Sequence, residues 1–423
     1  MKKIFFFLSI FIVGIVFFVH AQNTDSVKAE TQTFNVNDAT QHYLNTLSGK
    51  AREKSDTYFE GGYWLILWNT LYSILIAAIF LFTGLSRWMK NLAARFKNVN
   101  IQNFIYGVLY FVIAWLLLFP LNVYESYFRE HHYALSNLSF AEWFKEDMIG
   151  LSISCIGGSL LFVLVYAAMR KTGKSWWVWG TVISIVFMFF VQFIAPVFIT
   201  PLFNDYKPLA DGPLKKEILS MARANQIPAD NVYQFDASKQ SDRISANVSG
   251  IANTTRISLN DNLLKRCTPA EIKSVMGHEM GHYVMHHIYK GMVEMGVILL
   301  IMFALVNFVF NKIINRNGTQ LGINQISDIG SLPLLIAIFT VVSFLFTPVI
   351  NTMIRTQEAE ADMFGLDVAR EPDAEAHVDM MLSEYRKIDP GHWEEVVFYD
   401  HPGGRNRVRM AMQWKAEHLK DCK

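Results

Sequence analysis

The sequence predicts a mainly α-helical, polytopic membrane protein, six to seven membrane helices carrying one small α+β domain. Three observations carry that prediction. The 423 residues are 52% hydrophobic and only 18% charged, with 33 Phe and 10 Trp. Apolar runs recur at roughly 20 residues, the length a helix needs to cross a bilayer. Two mixed, charged stretches, 201–290 and 355–423, show the spacing of short strands and amphipathic helices instead. The net charge of +1, with no basic run, argues against nucleic acid as a partner. The three cysteines, Cys155, Cys267 and Cys422, are scattered and form no disulfide framework or paired zinc motif. Any metal must be held by histidine and carboxylate.

The elements follow in order. Residues 1–22 begin with Lys2 and Lys3, run through a long apolar stretch and reach Val19, His20, Ala21 and Gln22. That is the layout of a secretory signal peptide cleaved after Ala21; left uncleaved, the same stretch is a first membrane helix. Residues 23–61 are polar, with helical spacing from Asn37 to Ala51, and read as an amphipathic lead-in. Within 62–200 four membrane helices are expected, over Tyr63–Leu85, Phe104–Val123, Ile149–Met169 and Trp176–Ile199. Tyr63, Trp64, Trp176, Trp177 and Trp179 sit at their ends, where an interfacial belt belongs. Pro196 and Pro201 are expected to break the fourth helix into a loop.

In 201–290, Pro213 to Asn225 has helical spacing, and Asn231–Asp236 and Arg256–Asn260 read as short strands. Ser245 to Gly250 is an edge strand or a turn. Thr268, Pro269 and Glu271 then give an N-cap hydroxyl, a proline at the first helical position and a capping-box glutamate. Ile272, Val275 and Met276 continue the helical period. Residues 291–354 hold a membrane hairpin, Met292–Ile313 and Leu332–Ile354. Residues 355–423 form a second soluble piece, with a loop around Asp400 to Gly404.

The capped helix contains His278, Glu279 and His282, a His-Glu-x-x-His pattern. Two histidines four residues apart share a helix face and can reach one metal ion, while the adjacent glutamate can act as general base on a water. A catalytic zinc site commonly has three protein ligands and an open position. The hairpin returns the chain to the side from which Lys290 left, so Glu358, just beyond it, is the third candidate ligand. Asp362 shares the helix face of Glu358 and can accept a ring N–H from a ligating histidine; Glu360 points roughly the opposite way. The bland readings are two ordinary helix histidines, a solvated acidic patch paired with Arg355, and a structural zinc without chemistry. The last gives Glu279 no task. His286 and His287 read as interface or core polar residues.

These motifs, HEMGH and a later ExxxD after a membrane hairpin, resemble the type I CAAX prenyl proteases, and their bacterial members in particular. The similarity extends through Ile194–Phe198, Lys207 to Leu209, Leu214–Ile218, Asp236–Lys239, Arg256–Leu264 and His401-Pro402 followed by Arg407. The resemblance implies a multi-pass membrane protein with a zincin-like metalloprotease domain, one Zn2+ held by His278, His282 and Glu358, and Glu279 as catalytic base. It implies Asp362 as the acid behind a ligand, and His401 and Arg407 as residues steadying a tetrahedral oxyanion in the cleft, a role that suits hydrogen-bond donors. The edge strand departs from the eukaryotic pattern: Ala246 and Asn247 stand where a longer stretch pairs with substrate. The implied partners are the lipid bilayer and a peptide or protein substrate, lipidated or membrane-embedded. Prenylated and broadly selected membrane-protein substrates are both open, and a transporter or an inert zinc-stabilised scaffold are the rival classes. Hardly any ionisable residue interrupts the spans from Tyr63 to Ile199, which disfavours transport. The Arg and Lys bias (Arg87, Lys90, Arg95, Lys97, Arg170, Lys171, Lys174) puts the zinc domain outside the cytoplasm, whereas the resemblance to eukaryotic members puts it inside.

Overall fold

The computed structural model describes residues 34–250 and 255–419; the predicted leader, 1–22, and the polar residues that follow it as far as 33 lie outside the described residues. Helix α1 (Val36–Leu44) is followed by α2 (Gly49–Phe82), 34 residues in one piece. The lead-in expected over 23–61 thus shares a helix with the first membrane span, because no proline interrupts Gly49–Phe82 and Ala51, Glu53 and Lys54 favour helix at its polar start. Helix α3 (Leu85–Ala93) is short. Helix α4 (Val99–Val123) begins at Asn98, whose side chain accepts the amide N–H of Asn100 and Ile101, and a π turn with one further helical turn carries it to His132.

A capping box between Ser139 and Glu142 opens α5 (Phe140–Ile153), and a π turn at Ser154–Gly158 joins it to α6 (Ser159–Thr172). Gly173, at φ 53°, then separates α6 from α7 (Trp176–Ile194). Pro196 does not end this helix in a loop: Ala195–Ile199 forms a π turn and Thr200–Leu202 a 3-10 turn. Five continuous helical stretches among the described residues are long and apolar enough to cross a membrane. One of them, Phe140–Leu202, contains two of the predicted spans, α6 and α7, on either side of Gly173. Phe82, Val186, Phe193, Phe308 and Leu345 stand exposed on these helices, as side chains facing hydrocarbon do. Tyr106, Tyr166, Trp176 and Phe310 fill the core between them.

A second core belongs to a four-stranded sheet in the order β1-β2-β4-β3. Strand β2 (Val232–Phe235) pairs antiparallel with β1 (Tyr206–Pro208) and parallel with β4 (Arg256–Asn260); β3 (Ala246–Ser249) pairs antiparallel with β4 and forms one edge, β1 the other. β1 has three residues, too few to show an alternating pattern in sequence. Ile218 of α8 (Pro213–Ala224), Leu263 of α9 (Asp261–Arg266) and Met276 and Met280 of α10 (Pro269–Val284) pack with Val232, Ile257 and Leu259 of the sheet.

Helices α11 (His287–Leu321) and α12 (Leu332–Ala369) form the hairpin. At 1.5 Å per residue the 38 residues of α12 extend about 57 Å, nearly twice a bilayer's hydrocarbon thickness. Its last turns therefore project beyond the membrane, towards the sheet. Helices α13 (Pro372–Leu382), α14 (His392–Phe398) and α15 (Gly404–Glu417) complete the chain. The polar N-terminal part clasps this last piece. Tyr43 Oη donates to Asp373 Oδ1 at 2.8 Å, Ser55 Oγ to the Ser383 carbonyl at 2.6 Å, and Tyr63 Oη to Glu394 Oε1 at 2.9 Å.

Candidate active site

Helix α10 is started by the predicted cap: Thr268 Oγ1 accepts the Glu271 amide, and Glu271 returns the bond to the Thr268 amide. Two glycines then set how closely α10 meets α12. A Cβ on Gly277 would lie 2.9 Å from the Gly365 carbonyl oxygen, and one on Gly281 would lie 3.2 Å from Ala361 Cα. The backbones touch because these side chains are absent. That crossing carries His278 and His282 onto Glu358, each offering a ligand atom within 4.8 Å of the others. His278 Nε2 is 3.1 Å from His282 Nε2 and 3.3 Å from Glu358 Oε2, and His282 Nε2 is 3.6 Å from Glu358 Oε1.

Behind His278, Nδ1 meets Asp362 Oδ1 at 2.7 Å, so the carboxylate accepts the ring N–H and leaves Nε2 bare. Arg407 grips the same carboxylate with two bonds, Nε to Oδ2 at 2.8 Å and Nη2 to Oδ1 at 2.6 Å. It also lies 3.0 Å from Asp379 and 3.6 Å from Glu375, all of them buried. Burial alone would weaken the Arg407 charge, but these carboxyls hold it. Burial pushes the Asp379 and Glu375 carboxyls up, so they share the guanidinium with Asp362 as weaker acids.

Glu279 lines a cleft of about 220 Å³ together with Ala246, Val275, His278, Tyr385 and His401. Enclosure raises its carboxyl above the usual range; the neighbouring Glu358 adds to that, while His278 and His282 oppose it. His401 Nε2 stands 3.2 Å from Glu358 Oε2, and its Nδ1 is held 2.8 Å from Asp400. A buried carboxylate oxygen without a hydrogen bond among the described residues, two facing imidazole nitrogens and an adjacent enclosed acid can hold a cation and move a proton at one point.

The nine predicted site residues do not all meet there. Ala246 lines the cleft, but Asn247, one residue along the strand, faces a separate recess of about 180 Å³ with Tyr206 and Arg256. Alternation along a strand forces that split. Arg407 borders the cleft, yet its guanidinium is committed to Asp362 and Asp379 rather than open to an oxyanion. Four residues joined to the constellation escaped the sequence reading as site residues: His287, Glu360, Glu375 and Asp379. The i, i+4 spacing of Glu375 and Asp379 was a signal for a shared face, but nothing local marked that face as buried.

Fold and site define a membrane metalloendopeptidase, and known proteins agree. Residues 208–415 match Peptidase family M48, and residues 33–205 match the CAAX prenyl protease N-terminal domain, described as five membrane helices. An uncharacterized metalloprotease of Bacillus subtilis, YhfN, is 30% identical over 81% of this chain and 80% of its own. CAAX prenyl protease 1 of Saccharomyces cerevisiae is 26% identical over 73% of this chain and 71% of its own. The crystal structure of S. mikatae Ste24p shares the fold, with a TM-score of 0.68 at 21% identity, covering 89% of this chain and 94% of that one. The chain belongs to peptidase family M48 and is an integral, multi-pass membrane protein acting on peptide or protein substrates.

Proposed function

We propose that this metalloendopeptidase is zinc-dependent, with His278, His282 and Glu358 holding the ion and Glu279 acting as general base. One observation carries the reading: Nε2 of His278 and Nε2 of His282 face each other at 3.1 Å beside a buried Glu358 Oε2 that accepts no hydrogen bond among the described residues. Bare lone pairs so close repel unless a cation lies between them. Tetrahedral zinc with bonds of about 2.0–2.1 Å keeps its ligand atoms about 3.3 Å apart, against the 3.1, 3.3 and 3.6 Å found here. The donor set fits.

Zinc, when bound, polarises the scissile carbonyl and brings the pKa of its water towards ~7. Glu279 accepts the proton of the attacking water and passes it to the leaving amine. Burial raises the pKa of its carboxyl, which strengthens it as the base that accepts the proton. His401, anchored on Asp400 and lining the cleft, is the donor this scheme assigns to the developing oxyanion. Arg407 acts one step back, holding Asp362 and through it the His278 ring. Among the described residues β3 lies at an end of the sheet beside the cleft, which supports pairing with an extended substrate backbone, with Ala246 lining the cleft. The membrane helices suit substrates bearing a lipid or an apolar segment.

The test is metal content and peptide cleavage of the detergent-purified protein. Wild type is expected to carry one zinc per chain. Glu279→Gln keeps the zinc and loses about 10²–10⁴-fold in kcat; Glu358→Ala loses both zinc and cleavage. Full zinc content in Glu358→Ala would remove that residue from the ligand set.

A further inference from the structure

We propose that His287 and Glu360 form a relay that sets the tautomer and aim of His282, and thereby the metal affinity of the site; this rests on the zinc reading above. The chain makes an unusual turn to build it. His286 adopts φ 57°, a left-handed conformation that a residue bearing a Cβ seldom takes. That turn ends α10, starts α11 and folds His287 back beneath His282, where it is 4% exposed. Strain kept beside a candidate metal site invites a functional reading.

The contacts supply it. His287 Nδ1 lies 2.9 Å from His282 Nδ1, and His287 Nε2 lies 3.0 Å from Glu360 Oε2. Lys290 Nζ donates to both Glu360 oxygens, at 3.0 and 2.7 Å. Paired with that ammonium, Glu360 can only accept, so His287 carries its hydrogen on Nε2. With both rings neutral, His287 Nδ1 is then bare and must accept from His282 Nδ1–H. His282 Nε2 is left bare, turned towards His278 and Glu358. Each histidine ligand thus has a carboxylate behind it: Asp362 directly for His278, Glu360 through a second ring for His282. His287 and Glu360 are positioning residues, since neither reaches the cleft.

The experiment measures zinc affinity by competition with a chromophoric chelator, and records the visible spectrum of the Co2+-loaded protein. Partners of this kind change metal affinity about 10–100-fold, so His287→Leu is expected to fall in that range, with a weakened Co2+ band as His282 swings free. His287→Asn, whose Oδ1 can stand where Nδ1 stood, recovers most of the affinity. Glu360→Ala, at a partly exposed position, weakens binding about tenfold and decides the matter should His287→Leu fail to fold. Wild-type affinity in Glu360→Ala overturns the relay, and so does wild-type affinity in a folded His287→Leu. Equal losses in His287→Leu and His287→Asn also overturn it, because packing alone would then explain them. A wild-type protein that binds no zinc defeats the underlying site reading instead.

Discussion

One guanidinium serves three buried carboxyls beneath His278, and the contacts rank them. Asp362 has the bidentate pair, Asp379 a single approach at 3.0 Å and Glu375 a longer one at 3.6 Å. Removing the guanidinium would strand the carboxylate that orients the His278 ring. Arg407→Met is therefore expected to cost about 3–5 kcal/mol and to weaken zinc binding, read as a lower Tm and a shifted chelator competition curve. Arg407→Lys keeps the charge but loses the two-pronged grip, and should fall between the two. Cys267, just before α10, gives a separate residue-scale test. Burial pushes its thiol up to about 11, with Glu271 adding and Arg266 opposing. Below that value the thiolate fraction grows about tenfold per pH unit. Alkylation of Cys267, followed by mass spectrometry, should still be rising at pH 10; a plateau near the ordinary thiol value would contradict the burial seen here.

At the scale of elements, the crossing of α10 on α12 decides whether a site exists. Gly277→Ala puts a methyl group 2.9 Å from the Gly365 carbonyl oxygen, where only backbone could give way. The expected cost is about 1–3 kcal/mol, with zinc affinity falling as well because His278 and Glu358 move apart. Loss of stability with unchanged affinity would show that the crossing does not position the ligands. Much of this crossing was legible in the sequence. The capping box at Thr268 located the helix, the i, i+4 rule aligned His278 with His282, and the membrane hairpin returned Glu358 to them. What escaped were matters of tertiary partnership. His287 is bound to His282 only through the left-handed turn at His286, and nothing in the local sequence demands that conformation. Glu360 lies on the opposite side of α12 from Glu358, as helical spacing required, yet it reaches the site through His287. Arg407 could be selected from Arg405 and Arg409 only through family resemblance, and its burial against Asp362 depends on a fold spanning 45 residues. The continuity of α2 was hidden for another reason: the change from polar to apolar surroundings at about Glu60 leaves helix propensity intact.

At the scale of the whole molecule, the site is a joint between two separate parts of the chain. His278 and His282 belong to the helix packed on the sheet, while Glu358 belongs to a helix that also crosses the membrane. A bound ion would tie the two together, and ligand binding to the native state alone stabilises by about 4 kcal/mol at a thousand times Kd. Chelation is expected to lower the Tm of wild type, with recovery on adding zinc, while Glu358→Ala should melt at the same temperature with or without chelator. A wild-type Tm that ignores both treatments would count against the ion as a structural link. The length of α12 has a further consequence. Glu358 lies only four positions beyond Ile354, the predicted end of the apolar span, a rise of about 6 Å. With Glu358 holding the ion as proposed, the helix would act as a ruler: for a substrate anchored in the same bilayer, the depth of the anchor would select which of its peptide bonds is within reach.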